Sequence, residues 1–166
     1  MKRIVLMGFM GAGKTAVGRR LARKLSCEFI DTDERIEKEQ GRKISDIFSE
    51  NGEQTFRDME TELLKRLQDE QADFVLSIGG GMPVRAENRE LLRKIGRVIY
   101  LKTSKEEIIR RVSGDKKRPL LQGGGLEEKV TSLMNAREDI YLKTAHEKVV
   151  TDKKKINDIV EEILQM

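Results

Sequence analysis

The stretch IVLMGFMGAGKTAVGRR, residues 4–20, joins a short apolar run to a glycine-rich turn and then to a segment of helical spacing. Residues 8–15 match the pattern G-x-x-x-x-G-K-[ST], in which glycines let successive backbone N–H groups converge on phosphate oxygens. The helix that follows presents the positive end of its dipole to the same anion. The stretch therefore predicts a strand, a phosphate-binding loop and a helix in succession.

Individual residues of this loop have predictable roles. Lys14 is expected to neutralise the β and γ phosphates of a nucleotide, and the hydroxyl of Thr15 is expected to bind Mg²⁺. The alternative is a plain glycine turn with a solvated lysine, but the complete pattern between a strand and a helix favours phosphate binding. The residues predicted to contact the nucleotide here are Gly11, Ala12, Gly13, Lys14, Thr15 and Ala16.

Beyond this loop, short apolar runs alternate with longer amphipathic segments. The runs that predict buried strands are 4–7, 29–30, 74–78, 98–101 and 149–150. Helical spacing extends over 14–25, 33–40, 44–68, 86–94, 104–112, 126–143 and 156–164. Because parallel strands are joined by helical crossovers, this alternation predicts a three-layer α/β/α sandwich around a parallel sheet.

Two helix boundaries carry sharper signals. Ser104 and Glu107 have the spacing of a capping box directly after the fourth predicted strand. Gly96 is expected to end the helix that precedes that strand.

Length and charge restrict the class of protein. The 166 residues suffice for one hydrophobic core, and we expect a single domain over 1–166. Lysine and arginine number 33 against 29 aspartates and glutamates, and because these charges are interleaved and aromatic rings are few, a nucleic-acid partner is not expected. The net charge of +4 suits small anionic ligands. No stretch approaches membrane-spanning length, so we expect no membrane partner and a cytoplasmic protein.

Two further strand ends carry candidate site residues. Asp31 and Asp33 follow the second predicted strand, where ligands collect in open α/β sheets, although acidic residues at this place can also cap a helix. Gly79, Gly80 and Gly81 follow the third, where the absence of side chains would let a ligand approach the backbone. The segment GDKKRPLLQGGG, 114–125, indicates a long mobile loop, with a solvated basic run as the alternative.

In their order and spacing, these strings resemble the shikimate kinase family. They are the phosphate loop, DTD at 31–33, GEQTFRDME at 52–60, GGG at 79–81, RPLL at 118–121 and AREDIY at 136–141. The resemblance implies the P-loop NTPase fold of the nucleoside monophosphate kinases, with a five-stranded parallel sheet, a substrate-binding helical region at about 33–61 and a mobile lid at about 113–125. It also implies a monomeric enzyme that uses ATP and Mg²⁺ to phosphorylate the 3-hydroxyl of shikimate, on the route to chorismate and the aromatic amino acids.

The resemblance implies roles for residues on the acceptor side. Asp33 would hold the shikimate hydroxyls and accept the proton, and Asp31 would reach Mg²⁺ through water. Arg57 and Arg137 would hold the carboxylate. The substrate-binding residues implied are Asp33, Arg57, Gly79, Gly80, Gly81 and Arg137.

On the nucleotide side, the resemblance implies that Arg118 swings onto the transferring phosphates and that Arg111 and Lys154 flank the adenine. Lys14, Asp33 and Arg118 are therefore the expected catalytic residues. If the family resemblance is set aside, the spacing of Arg57 from Glu53 and Glu60 predicts an ordinary surface arginine that pairs with one of them.

Other readings remain open at this point. A kinase of another polyol acid, such as gluconate, would share the scaffold, and a nucleotide-dependent switch that transfers no phosphoryl group to a metabolite would share the phosphate loop. The chain also departs from the family pattern at Ala16, at Met82 and in the absence of a proline after Arg137. None of these departures removes a group that phosphoryl transfer needs.

Overall fold

The computed structural model describes residues 2–113 and 125–166. The strands are β1 (Arg3–Met7), β2 (Glu28–Asp31), β3 (Phe74–Ser77), β4 (Arg97–Lys102) and β5 (Glu147–Val150). The helices are α1 (Lys14–Leu25), α2 (Thr32–Gln40), α3 (Ile44–Asn51), α4 (Glu53–Asp69), α5 (Ala86–Ile95), α6 (Lys105–Val112), α7 (Leu126–Thr144) and α8 (Ile156–Gln165). A short 3₁₀ helix, Met82–Val84, was not predicted.

The five strands form one parallel sheet in the order β2-β3-β1-β4-β5, which confirms the predicted fold class. β1 is central and buried along its whole length, as expected of a strand covered by helices on both faces. Since all strands run the same way, the residues after β1, β2 and β3 meet at one edge of the sheet. The phosphate loop, Asp31 and the three glycines therefore lie together.

The prediction of a single helix over 44–68 is wrong, because the structure contains two helices there, α3 and α4. Gly52 separates α3 from α4 with φ of 84° and ψ of 165°, a backbone conformation that side-chain-bearing residues rarely adopt. The rings of Phe48 and Phe56 pack at 5.1 Å across this break, so the apolar spacing continues while the helix does not. The break sets the start of α4 at Glu53, one turn before Arg57.

The capping signal at Ser104 is half confirmed. Its hydroxyl accepts from the N–H of Glu107 at 3.3 Å, but the reciprocal bond is replaced, because the N–H of Ser104 donates to the carboxylate of Asp152. The side chain of Glu107 instead pairs with Arg110 and Arg111. Gly96 ends α5, as predicted.

Within residues 2–113 and 125–166, no helix has the length and apolarity that crossing a membrane requires.

Candidate active site

The phosphate loop, residues 8–15, runs from β1 into α1. Gly11 and Gly13 have φ of 80° and 90°, in the left-handed region that glycine adopts without strain. No side chain caps α1 at Gly13, so the first N–H groups of this helix are available to an anion. The backbone therefore has the conformation that a phosphate-binding loop needs.

Lys14 and Thr15 are both held in place around the loop. The Nζ of Lys14 donates to the carbonyl oxygens of Gly8 at 2.8 Å and Phe9 at 2.9 Å. The hydroxyl of Thr15 donates to Oδ2 of Asp31 at 3.1 Å. The loop and the end of β2 are thus connected through the two residues predicted to serve the metal.

Asp31 also has the alternative role that the sequence left open. It is the N-cap of α2, and its Oδ1 accepts from the backbone N–H groups of Asp33 at 3.0 Å and Glu34 at 3.2 Å. Because the other oxygen faces Thr15, the helix cap orients the carboxylate towards the phosphate loop. Capping and a role beside the metal are therefore compatible.

The donor set around Thr15 fits Mg²⁺. A hydroxyl and a carboxylate oxygen are the ligand types that this ion prefers, and it usually keeps several waters and binds substrate phosphates. Among the described residues, no group of three or more His, Cys, Asp or Glu side chains could hold a metal.

One cavity of about 400 Å³ joins the phosphate loop to the ends of β2 and β3. Its lining residues are Met10, Gly11, Gly13, Lys14, Thr15, Ala16, Asp31, Asp33, Ser77, Ile78, Gly79, Gly80 and Arg111. Most of the predicted nucleotide residues are among them, whereas Ala12 is buried behind the loop. The cavity therefore contains both the expected phosphate contacts and the expected proton acceptor.

The residues predicted to flank the adenine differ in position. Arg111 lies against the loop, with Nη1 donating to the carbonyl of Gly11 at 2.9 Å and Nε donating to Glu107 at 2.8 Å. Lys154 does not line the cavity, and its Nζ donates to Glu162 at 2.5 Å. Arg118 and all but the two end residues of the expected lid lie outside the described residues.

Asp33 is partly buried at the point where the cavity meets the glycines. Its Oδ1 has no hydrogen-bond partner among the described residues and lies 3.0 Å from the place that a Cβ would take at Gly79. Burial raises the pKa of Asp33 to about 6, and the charge of Asp31 adds to this effect, whereas Lys14 and Arg57 oppose it. The carboxyl group is therefore mainly ionised at neutral pH and open to a hydroxyl donor.

Arg57 is the buried arginine of α4. Nη1 donates to Oε1 of Glu60 at 2.6 Å, and Nη2 donates to Oε1 of Glu53 at 3.2 Å. The pairing considered for a surface arginine thus exists, but in a buried setting. A Cβ at Gly81 would overlap the guanidinium, so this glycine is required by close approach.

Arg137 of α7 reaches the same glycines from the other side. It is 5% exposed and stacks over the ring of Phe9 at 5.8 Å. Its Nη1 has no hydrogen-bond partner in the part of the chain that the structure describes and lies 3.3 Å from the Cβ position of Gly80. Arg57 and Arg137 therefore meet around the glycine run, as the resemblance implies.

Two polar residues of this region were not singled out from the sequence. Glu60 is fully buried, its Oε2 has no partner among the described residues, and burial raises its pKa to about 7 against the opposing charge of Arg57. The hydroxyl of Tyr141 donates to the carbonyl of Gly80 at 2.5 Å. The helical spacing of Glu60 from Arg57 indicated that these two residues pair, whereas no local sequence pattern predicts the contact of Tyr141. We use the name ionic cluster for Asp33, Arg57, Glu60 and Arg137 around glycines 79–81.

Comparison with known proteins agrees with this geometry. The family model described as shikimate kinase matches residues 10–166. The shikimate kinase of Pelotomaculum thermopropionicum is 46% identical over 164 residues, which cover 99% of this chain and 94% of that protein. The shikimate kinase of Symbiobacterium thermophilum is 42% identical, with 98% and 94% covered.

Solved structures give the same result for the fold. Shikimate kinase from Acinetobacter baumannii in complex with shikimate has a TM-score of 0.95 and 42% identity, with 99% of this chain and 92% of that chain covered. The deoxyadenosine kinase of M. mycoides with bound dATP has a TM-score of 0.62 at 17% identity, with 98% and 97% covered. The second likeness concerns the fold alone.

Proposed function

The chain belongs to the shikimate kinase family, and we propose that it transfers the γ-phosphoryl group of ATP to the 3-hydroxyl of shikimate. The observation that carries this proposal is the cavity of about 400 Å³ that joins the phosphate loop to Asp33, Gly79 and Gly80. A phosphoryl donor and an alcohol acceptor bound in one such cavity would lie close enough to react.

The ionic cluster suits a molecule with one carboxylate and several hydroxyls. The planar guanidinium groups of Arg57 and Arg137 can bind a carboxylate with two parallel hydrogen bonds. Each of these arginines lies against a glycine, so a ring could rest on the backbone between them. This arrangement supports shikimate as the acceptor, and the solved shikimate kinase of Acinetobacter baumannii is in complex with shikimate.

Asp33 is proposed to accept the proton of the acceptor hydroxyl. The bond from the 3-oxygen to the γ-phosphorus forms while the bond from that phosphorus to the bridging oxygen of ADP breaks, and the hydroxyl proton passes to Asp33. The unpartnered Oδ1 and the pKa of about 6 support this role, because the group is ionised at neutral pH and lacks a competing donor.

On the donor side, Lys14 and the N–H groups of the phosphate loop are proposed to bind the β and γ phosphates of ATP. Thr15 and, through water, Asp31 would hold Mg²⁺. When bound, the ion neutralises phosphate charge. Contacts of Arg118 with the phosphates, of Arg111 and Lys154 with the adenine, and closure of a lid at about 113–125 remain predictions.

An assay of ADP release with alternative acceptors tests the proposal. We expect rapid, Mg²⁺-dependent turnover with shikimate and at most slow ATP hydrolysis with gluconate or AMP. Turnover with gluconate but not with shikimate would overturn the choice of substrate. Equal slow hydrolysis with every acceptor would instead favour a nucleotide-dependent switch.

Three aspects of the organisation are also proposals. We propose one domain over 1–166, a monomer and a cytoplasmic location. Size-exclusion chromatography with light scattering tests the oligomeric state, and cell fractionation tests the location.

A further inference from the structure

We propose that Tyr141 is a positioning residue of the acceptor site, whose hydroxyl fixes the peptide between Gly80 and Gly81 and supports Arg137. The inference rests on the proposed function and concerns the part of the site that would bind the substrate carboxylate.

The first observation is the hydrogen bond from the phenol to the glycine run. Tyr141 is 1% exposed, and its hydroxyl donates to the carbonyl of Gly80 at 2.5 Å. Burial raises the pKa of this phenol to about 12, so the group keeps its proton at every pH at which the enzyme would work. The phenol is therefore a permanent donor to the backbone.

This bond sets the direction of a neighbouring N–H group. A peptide unit is planar and trans, so the C=O of Gly80 and the N–H of Gly81 point in opposite directions. No described residue accepts a hydrogen bond from the N–H of Gly81. Since Gly81 lies directly against Arg57, the orientation imposed by Tyr141 leaves a backbone donor beside that guanidinium.

The same hydroxyl lies next to Arg137. A phenol has one proton, which Tyr141 gives to Gly80, and its oxygen can then only accept further hydrogen bonds. The phenol oxygen lies 3.2 Å and Nη1 of Arg137 3.3 Å from the Cβ position of Gly80, so both groups lie against one glycine. The charge of Arg137 also opposes the rise in the pKa of the phenol, as expected of a cation beside an electron-rich oxygen, so the phenol favours the position of this guanidinium.

The ring of Tyr141 is held by a neighbouring tyrosine, which provides a matched control. The rings of Tyr100 and Tyr141 pack at 5.2 Å, and both residues are almost fully buried. The hydroxyl of Tyr100 donates to Glu138 at 2.5 Å, away from the glycine run. Removing either hydroxyl therefore takes one oxygen from the same ring pair, but only one of the two contacts the acceptor site.

The test compares Tyr141→Phe with Tyr100→Phe in steady-state kinetics and thermal melting. For Tyr141→Phe we expect the KM for shikimate to rise about tenfold, because the lost hydrogen bond leaves the carbonyl of Gly80 without its donor, with the KM for ATP unchanged. Tyr100→Phe is expected to keep the KM for shikimate within about twofold of the wild type, because its hydroxyl does not reach the glycines.

The outcomes separate this inference from the proposed function. If wild-type protein turns over shikimate and Tyr141→Phe keeps the wild-type KM, the positioning role is wrong while the function stands. A similar rise in KM for both variants, with similar losses of melting temperature, would show a general packing effect and would also overturn the role. No turnover of shikimate by the wild type would overturn the proposed function itself.

Discussion

The phosphate loop and the ionic cluster meet at one cavity, which Asp33, Gly79 and Gly80 line on the side of the cluster, but the two are built in opposite ways. In the loop, the polar side chains have partners, because Lys14 donates to two carbonyl groups and Thr15 donates to Asp31. In the cluster, buried atoms of Asp33, Glu60 and Arg137 have no partner among the described residues. Without a ligand, the polar side chains of the phosphate loop have hydrogen-bond partners, whereas several buried atoms of the ionic cluster do not find one among the described residues.

This difference indicates which part of the site gains the most free energy when a substrate binds. A buried polar atom without a hydrogen bond costs about 1–3 kcal/mol, so the cluster is destabilising until a ligand satisfies it. Hydroxyl groups would complement Asp33, and a carboxylate would complement Arg137. The phosphate loop relies instead on backbone N–H groups and on the dipole of α1, which need no side-chain rearrangement.

The largest expected effect concerns the phosphate loop. Lys14→Ala removes the cation proposed to neutralise the transferring phosphates, and we expect kcat/KM to fall about a thousandfold or more. Lys24→Ala is the control, because Lys24 forms an exposed ion pair with Glu161 and should retain wild-type activity. Kinetics of ADP release measure both. Activity of Lys14→Ala within tenfold of the wild type would contradict the role of this lysine.

The next effect concerns the proton acceptor. Asp33→Asn is expected to lower kcat about a hundredfold and to raise the melting temperature by a few degrees. The folded-state pKa of about 6 lies above the ordinary value of 3.8, so the ionised carboxylate destabilises the fold at neutral pH, and asparagine removes that charge.

Asp31→Ala is the matched comparison for thermal melting. Asp31 caps α2 with two backbone hydrogen bonds, and its loss should lower the free energy of unfolding by about 1 kcal/mol. Opposite stability changes at two aspartates that lie two residues apart would support the difference between the satisfied and unsatisfied halves. A lower melting temperature for Asp33→Asn would contradict it.

The two halves also differ in what the sequence could predict. The phosphate loop occupies eight consecutive residues, so strand, glycines, lysine and threonine are all visible in a local pattern. The ionic cluster brings together α2, α4, α7 and the end of β3, which are distant in sequence. Only the family resemblance indicated Arg57 and Arg137, since α4 alone indicated a helix-surface ion pair.

The remaining differences have physical causes. The break at Gly52 was missed because apolar spacing continues through it, whereas the helix ends at a glycine of positive φ. Tyr141 ends the string AREDIY, but its contact with the site could not be predicted, because its partner, the carbonyl of Gly80, belongs to a distant segment. The capping box at Ser104 was only half formed because Asp152 competes for its N–H. In each case a contact between distant segments overrides or supplements the local pattern.

A smaller effect distinguishes the two acidic partners of Arg57. Glu60 is fully buried and Glu53 is half exposed, although both contact the same guanidinium. We expect Glu60→Gln to raise the KM for shikimate about tenfold, because it leaves Arg57 without its buried counter-charge, and Glu53→Gln to change it about twofold or less. The KM for ATP should remain unchanged in both. Equal effects of the two substitutions would show that burial does not determine which partner orients Arg57.

The smallest effect is the pH dependence of the cluster. Since only ionised Asp33 can accept a proton, kcat/KM for shikimate should halve near pH 6 and fall about tenfold for each further unit of acidification. Burial raises the pKa of Glu60 to about 7, with a contribution from the charge of Asp33, so Glu60 takes up its proton before Asp33 as the pH falls. Glu60 is therefore mostly neutral where Asp33 titrates, and Glu60→Gln, which is neutral at every pH, should leave the acidic limb in place. Both profiles, of the wild type and of Glu60→Gln, are measured at excess Mg²⁺. Titration of the substrates then affects both equally, and any difference between them comes from the protein. A limb that moves to lower pH in Glu60→Gln would show that Glu60 is still ionised while Asp33 titrates, and would contradict this order of protonation.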